Sequence, residues 1–160
     1  MNHLVSTFLE NWSSFYANHG FIRTVVDFLH IGGLMIAGGF ALTADRAILK
    51  AAVRPDARKL QLETLRRSHK PVLIGLIAVT SSGFLLFAAD SDNFLHSMYF
   101  WIKIGLFGTL LINGAVLARA ERIANRGESK GWRQLQWTSS LSIVLWLLTT
   151  LAGTALPNVG

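Results

Sequence analysis

Few ionisable side chains interrupt the long apolar stretches of this chain, and those few are where chemistry would sit, because hydrocarbon tolerates a charge or an unpaired imidazole only at a cost. His30 comes first. It lies within the apolar run 21–43, with Asp27 one turn before it and Gly33 and Ala37 following at helical steps. An imidazole there could ligate a metal, handle a proton, or hydrogen-bond inside a packed core. Gly33 leaves room for a flat group against the helix or, equally, for a neighbouring helix backbone. Gly32, Gly38 and Gly39 read as packing devices.

Lys103 is the second candidate. It sits in the apolar run 98–118, seven residues after His96 and so on the same helical stripe. If the first and third runs cross a membrane in the same direction, Asp27, His30 and Lys103 share one leaflet, with His96 at its edge. Ser81 and Ser82 in the second run, and Thr149, Thr150 and Thr154 in the fourth, reach the same half. Lys103 could hold an anionic group, neutralise Asp27, or extend toward the membrane interface. His69, beside Lys70, reads as a solvated membrane-surface residue, and His3 and His19 as outer-surface residues. Asn113 reads as an interhelical hydrogen bond, and Asp45 with Arg46 as the inner end of a span.

The elements that must position these groups are four apolar windows, 21–43, 71–89, 98–118 and 137–156. Each meets the roughly 20 residues needed to cross a bilayer as a helix. With 160 residues, 51% of them hydrophobic, the chain reads as all-α, a single membrane domain built as a four-transmembrane-helix bundle. Residues 3–17 carry Leu4, Phe8, Trp12 and Phe15 at helical spacing, which predicts an N-terminal amphipathic helix lying on the outer membrane surface or packed on the outer mouth of the bundle or on a partner subunit. No cleavable signal peptide is legible. A turn is expected near Arg54 and Pro55, followed by a helix in which Lys59 pairs with Glu63.

All Lys and Arg residues except Arg23 and Lys103 fall in 45–70 and 119–136. Basic short loops stay on the cytoplasmic side, so both termini are expected outside, as in a multi-pass protein of a bacterial inner membrane. The net charge of +6 then reflects topology and contact with anionic lipid rather than nucleic-acid binding. The absence of cysteine excludes disulfides, iron–sulfur clusters and haem attached through Cys-x-x-Cys-His.

Several marks occur together: Leu29-His30 with Gly33, Asp45 and Arg46, Pro71 with Ser82-Gly83-Phe84-Leu85, Phe100 to Lys103, and Leu145-Trp146. On these the chain resembles, over most of 21–156, an uncharacterised bacterial family of four-helix integral membrane proteins of this length. More distantly it is similar to the copper-resistance protein D superfamily and to HemJ-type protoporphyrinogen oxidase. That resemblance implies His30 and Lys103 as a functional pair.

The expectation is a b-type haem or related porphyrin near the outer face, serving membrane electron transport or haem chemistry. His30 would be an axial ligand, His96 or solvent the second, and Lys103 the partner of a propionate or of Asp27. Two other classes stay open: a copper-handling or transport protein using His30, His96 and Met98, and a cofactor-free, non-catalytic subunit of a larger complex. Partners besides the lipid bilayer would be a membrane redox protein, such a complex, or a second copy of the chain. The residues do not decide whether the protein is an enzyme.

Overall fold

The structure, a computed structural model, describes residues 3–159, and the side chains of all of these except 3–6, 52, 53, 55 and 156–159. The readings of the His3 and Leu4 side chains lie outside the described residues. Six α-helices follow one another: α1 (His3–Asn18), α2 (Gly20–Val53), α3 (Arg58–Ala89), α4 (Ser91–His96), α5 (Met98–Asn125) and α6 (Ser129–Val159), with a 3-10 turn at Pro55–Ala57 between α2 and α3. Four of them, α2, α3, α5 and α6, are long and apolar enough to cross a membrane. Their outward faces expose Phe28, Phe40, Ile112, Leu147 and Leu151, which suits lipid and not water. The chain is an integral membrane protein built as a four-helix bundle.

Small residues decide how the bundle closes. α2 packs on α3 along its length, and a Cβ added to Gly75 would stand 2.7 Å from the Gly33 carbonyl oxygen and the Ala37 nitrogen. The room beside Gly33 is thus filled by the α3 backbone, not by a flat ligand. Gly38 makes a similar concession to Trp146 on α6, whose ring lies 3.3 Å from where its Cβ would be. Gly32 and Gly39 meet nothing within 4 Å and serve no contact of this kind.

The second hairpin is α5 with α6. Here Asn113 makes the expected interhelical bond, its Nδ2 donating to the Thr138 carbonyl at 3.0 Å. The two hairpins meet along an α2–α6 seam, while α3 and α5 scarcely approach one another. At the basic end all four long helices share a core of Ile48, Leu62, Leu65, Leu117, Trp132 and Leu135. There His69 Nε2 lies 2.9 Å from the carboxylate of Glu121, bridging α3 and α5, although off the line of a good hydrogen bond. His69 is therefore half-buried against a partner and not a solvated surface residue.

α1 packs on the opposite end. Trp12 Nε1 donates to the Leu85 carbonyl at 2.9 Å and Ser13 Oγ to the Ala89 carbonyl at 2.7 Å, so polar groups of α1 dock on the end of α3. Phe8 and Phe15, on the same stripe as Trp12, stay exposed beside it. The Lys59–Glu63 pair does not form; Glu63 pairs with Arg67 instead. A glutamate four residues before the base is the better orientation on a helix, and Lys59 stands on the wrong side for it.

Candidate functional site

The gap between α3 and α5 widens away from the basic end into a half-open cavity of about 1370 Å³. α2, α3, α5 and α6 wall it, and α4 lies across its mouth. Phe87, Phe94 and Phe100 pack together at the rim with ring centroids 5.4–6.5 Å apart, which props the mouth of the cavity. Phe84, Phe107 and Trp146 make most of the remainder of the wall apolar. Asp27, His30, His96 and Lys103, which lie on three different helices, all line this one cavity.

His30 is held by α3. Its Nδ1 lies 3.0 Å from Ser82 Oγ, and Ser82 already donates to the Ala78 carbonyl at 2.6 Å. A hydroxyl has one proton, so at the imidazole Ser82 is the acceptor and Nδ1 carries the hydrogen; the network thereby assigns Nε2 as the basic nitrogen. Gly83 makes the arrangement possible, because a Cβ there would stand 3.3 Å from His30 Cε1. Of the two serines read as reaching this half, Ser82 is fully buried and functional in this sense, while Ser81 faces outward.

Lys103 is placed by α6. A Cβ on Gly153 would lie 3.6 Å from Lys103 Cε and 3.7 Å from Nζ, ordinary contact distances, so the α6 backbone at Gly153 borders the path of the ammonium along the cavity wall. No ion pair joins Lys103 to Asp27, and no hydrogen bond or ion pair holds its Nζ among the described residues. Asp27 instead accepts a long hydrogen bond from Tyr16 of α1 at 3.4 Å. Partial burial, then the nearby Asp27 charge, pushes the Tyr16 phenol above its usual value. Asp27, one turn nearer the α1 end than His30, is exposed and turned to Tyr16.

His96 stands at the exposed rim, its Nδ1 2.7 Å from the Asp92 carbonyl. Met98, the thioether considered for copper, is 75% exposed and is not among the residues lining the cavity. Among the described residues no three of His, Cys, Asp and Glu converge as a metal-holding group. Two buried hydroxyls on the cavity wall, Ser97 Oγ and Thr149 Oγ1, have no hydrogen-bond partner. Thr150 and Thr154 face outward.

No family model, curated protein or solved structure matches the chain. The site therefore stands on its geometry. Sequence reading passed over Gly83 and Gly153 as supports, since neither carries a group of its own. It also took Asp45 for the end of a span, whereas the structure buries it to 2% exposure against α6.

Proposed function

We propose that the cavity takes a b-type haem or a related porphyrin, with His30 as its protein ligand, and that the protein serves membrane redox or haem chemistry. The observation that carries this reading is the His30–Ser82 pair: a half-buried imidazole whose Nδ1–H is committed to a neighbour presents Nε2 as a free electron-pair donor at the wall of a large apolar cavity. The cavity exceeds the roughly 300–1,000 Å³ usual for small-molecule sites, which suits a broad macrocycle. A bare copper ion would need several side-chain donors, and the described residues gather none of that kind. A macrocycle brings its own equatorial nitrogens.

In this role Lys103 supplies a positive charge to an acidic edge of the ligand, such as a propionate. His96 or solvent would take the opposite face. The aromatic wall excludes water and keeps the local dielectric low, which sharpens the effect of the Lys103 charge. Bound haem would supply a one-electron centre whose potential its axial ligands and surroundings tune. The charge distribution argues for an outer-leaflet position in a bacterial inner membrane, with the basic end cytoplasmic.

The test is a visible spectrum of detergent-purified protein before and after addition of haem b. Wild-type protein gives a Soret band that shifts on reduction. His30→Ala and His30→Gln insert normally but lose or alter that band, and Lys103→Met loosens retention without removing it. An unchanged spectrum in both His30 variants overturns the assignment.

A further inference from the structure

At the basic end of the bundle, far from the haem cavity, a second hollow of about 790 Å³ opens between the start of α3 and the α5–α6 turn. Its α3 wall carries Arg58, Lys59, Glu63 and Arg66, and Asn125, Ser129 and Trp132 stand across from them. Lys59 and Arg66 are seven residues, two helical turns, apart and so share one stripe. The one carboxylate among the lining residues, Glu63, is already paired with Arg67 outside the hollow. Arg58, Lys59 and Arg66 make no ion pair or hydrogen bond among the described residues. Three uncompensated cations thus share one concave space, where they focus a positive field.

Arg58 sets this hollow apart from a solvated basic face. Its guanidinium carbon lies 5.1 Å from the ring centre of Trp132, which is itself 7% exposed. The side chain is half-buried, with Nε enclosed and unpartnered but the two terminal nitrogens open. A stacked guanidinium is already oriented, and its paired terminal N–H groups match the oxygens of a phosphate. Ser129 begins α6, so the partial positive charge at the N-terminal end of that helix falls on the same space.

Depth indicates where an anion would come from. Leu62, midway along the α3 wall, precedes the apolar window 71–89 by nine residues, about 13 Å along a helix. The headgroup layer beside the hydrocarbon is only about 5–8 Å thick. The hollow therefore opens to water beyond the lipid headgroups, on the side that the proposed topology makes cytoplasmic.

We propose that this hollow binds a water-soluble, phosphate-bearing small molecule with at least two negative charges. Arg58 grips the phosphate through its two terminal nitrogens, and Lys59 and Arg66 balance the remaining charge. The volume lies within the roughly 300–1,000 Å³ usual for small-molecule sites and leaves room for the body that carries the phosphate.

The experiment is a calorimetric titration of the full chain, in neutral detergent without haem, with sodium pyrophosphate at constant pH and ionic strength. Wild-type protein binds one pyrophosphate saturably. Arg58→Gln weakens binding at least about tenfold, the effect of losing charge-assisted hydrogen bonds. Arg58→Lys, which keeps the charge and loses the fork, also weakens it, whereas Arg119→Gln on α5, outside the hollow, leaves it unchanged. Lys59→Gln and Arg66→Gln change exposed positions where folding is not at stake, and each lowers affinity several-fold. Absence of saturable binding overturns the proposal, as does unchanged affinity in both of these last variants. Equal weakening by Arg58→Gln and Arg119→Gln shows a diffuse charge effect and also overturns it. Dihexanoyl phosphatidylglycerol, soluble as a monomer, supplies a lipid headgroup for comparison. Arg58-dependent binding of that lipid without binding of pyrophosphate makes the hollow a lipid site and overturns the soluble assignment. The hollow and this titration are independent of any Soret band, so failure here and failure of the haem reading are separate results.

Discussion

A single hydroxyl determines what His30 can do. Because Ser82 spends its proton on Ala78, it can only accept from the imidazole, and the tautomer follows. Ser82→Ala removes that acceptor and leaves the ring the Val79 carbonyl as its remaining partner on α3. Loss of such an outer partner typically weakens metal-centre affinity about 10- to 100-fold. Haem titration of the Ser82→Ala protein should show a fall of that order with Tm little changed, and undiminished affinity would mean that the serine does not orient the ring. At this scale the sequence was half legible. His30 and Lys103 stood out because they are costly inside apolar runs, but Gly83 makes room by lacking atoms, and an absence of atoms carries meaning only once a neighbour is known. Asp45 was misread because its sequence neighbour Arg46 is a legitimate end-of-span residue, and burial on the other side of the helix is a tertiary fact.

Helices were far easier to read, since each apolar window falls inside one observed helix. The continuation of α2 to a turn at Arg54 and Pro55 and the helical restart of α3 after it were legible too, whereas the extension of α5 to Asn125 and the early start of α6 at Ser129 were not, because they lie in a polar yet packed basic end. Which glycines matter also awaited the structure. Gly75→Leu should break the α2–α3 contact, since overpacking of this kind costs about 1–3 kcal/mol. Gly39→Ala should leave stability unchanged or slightly raised, because nothing lies within 4 Å of the new methyl. Thermal unfolding in detergent compares them, and equal Tm values would refute the close-packing account. Asn113→Leu loses the bond to Thr138, an interaction worth about 0.6 kcal/mol on average in membrane bundles. A small Tm decrease with an intact cofactor spectrum is expected, whereas loss of cofactor would move the site toward the basic end.

For the molecule as a whole, the segregation of basic residues makes a definite statement about topology. Single cysteines at Asp92 and at Gly127 should differ in intact cells, the first reacting with an impermeant thiol reagent and the second remaining shielded until the membrane is opened. The reverse pattern would invert the protein. What no sequence pattern disclosed is which helices neighbour one another. The hydrophobic period of a membrane helix is blurred because lipid and core are both apolar, so the α2–α6 seam and the near-absence of α3–α5 contact emerge only from packing.

That unequal closure makes the bundle resemble a clothes-peg. His69 and Glu121 grip at the basic end, the α2–α6 seam supplies the pivot, and the jaws part toward the lipid on the α3–α5 side. A guest passing between such jaws must push acyl chains aside rather than cross water. Its rate of exchange should therefore follow the stiffness of the surrounding tails. Porphyrin release from the protein in saturated, tightly ordered lipid should be slower than in unsaturated lipid at the same temperature, while added glycerol in the aqueous phase changes little; the opposite sensitivity would place the doorway at the aqueous mouth beneath α4.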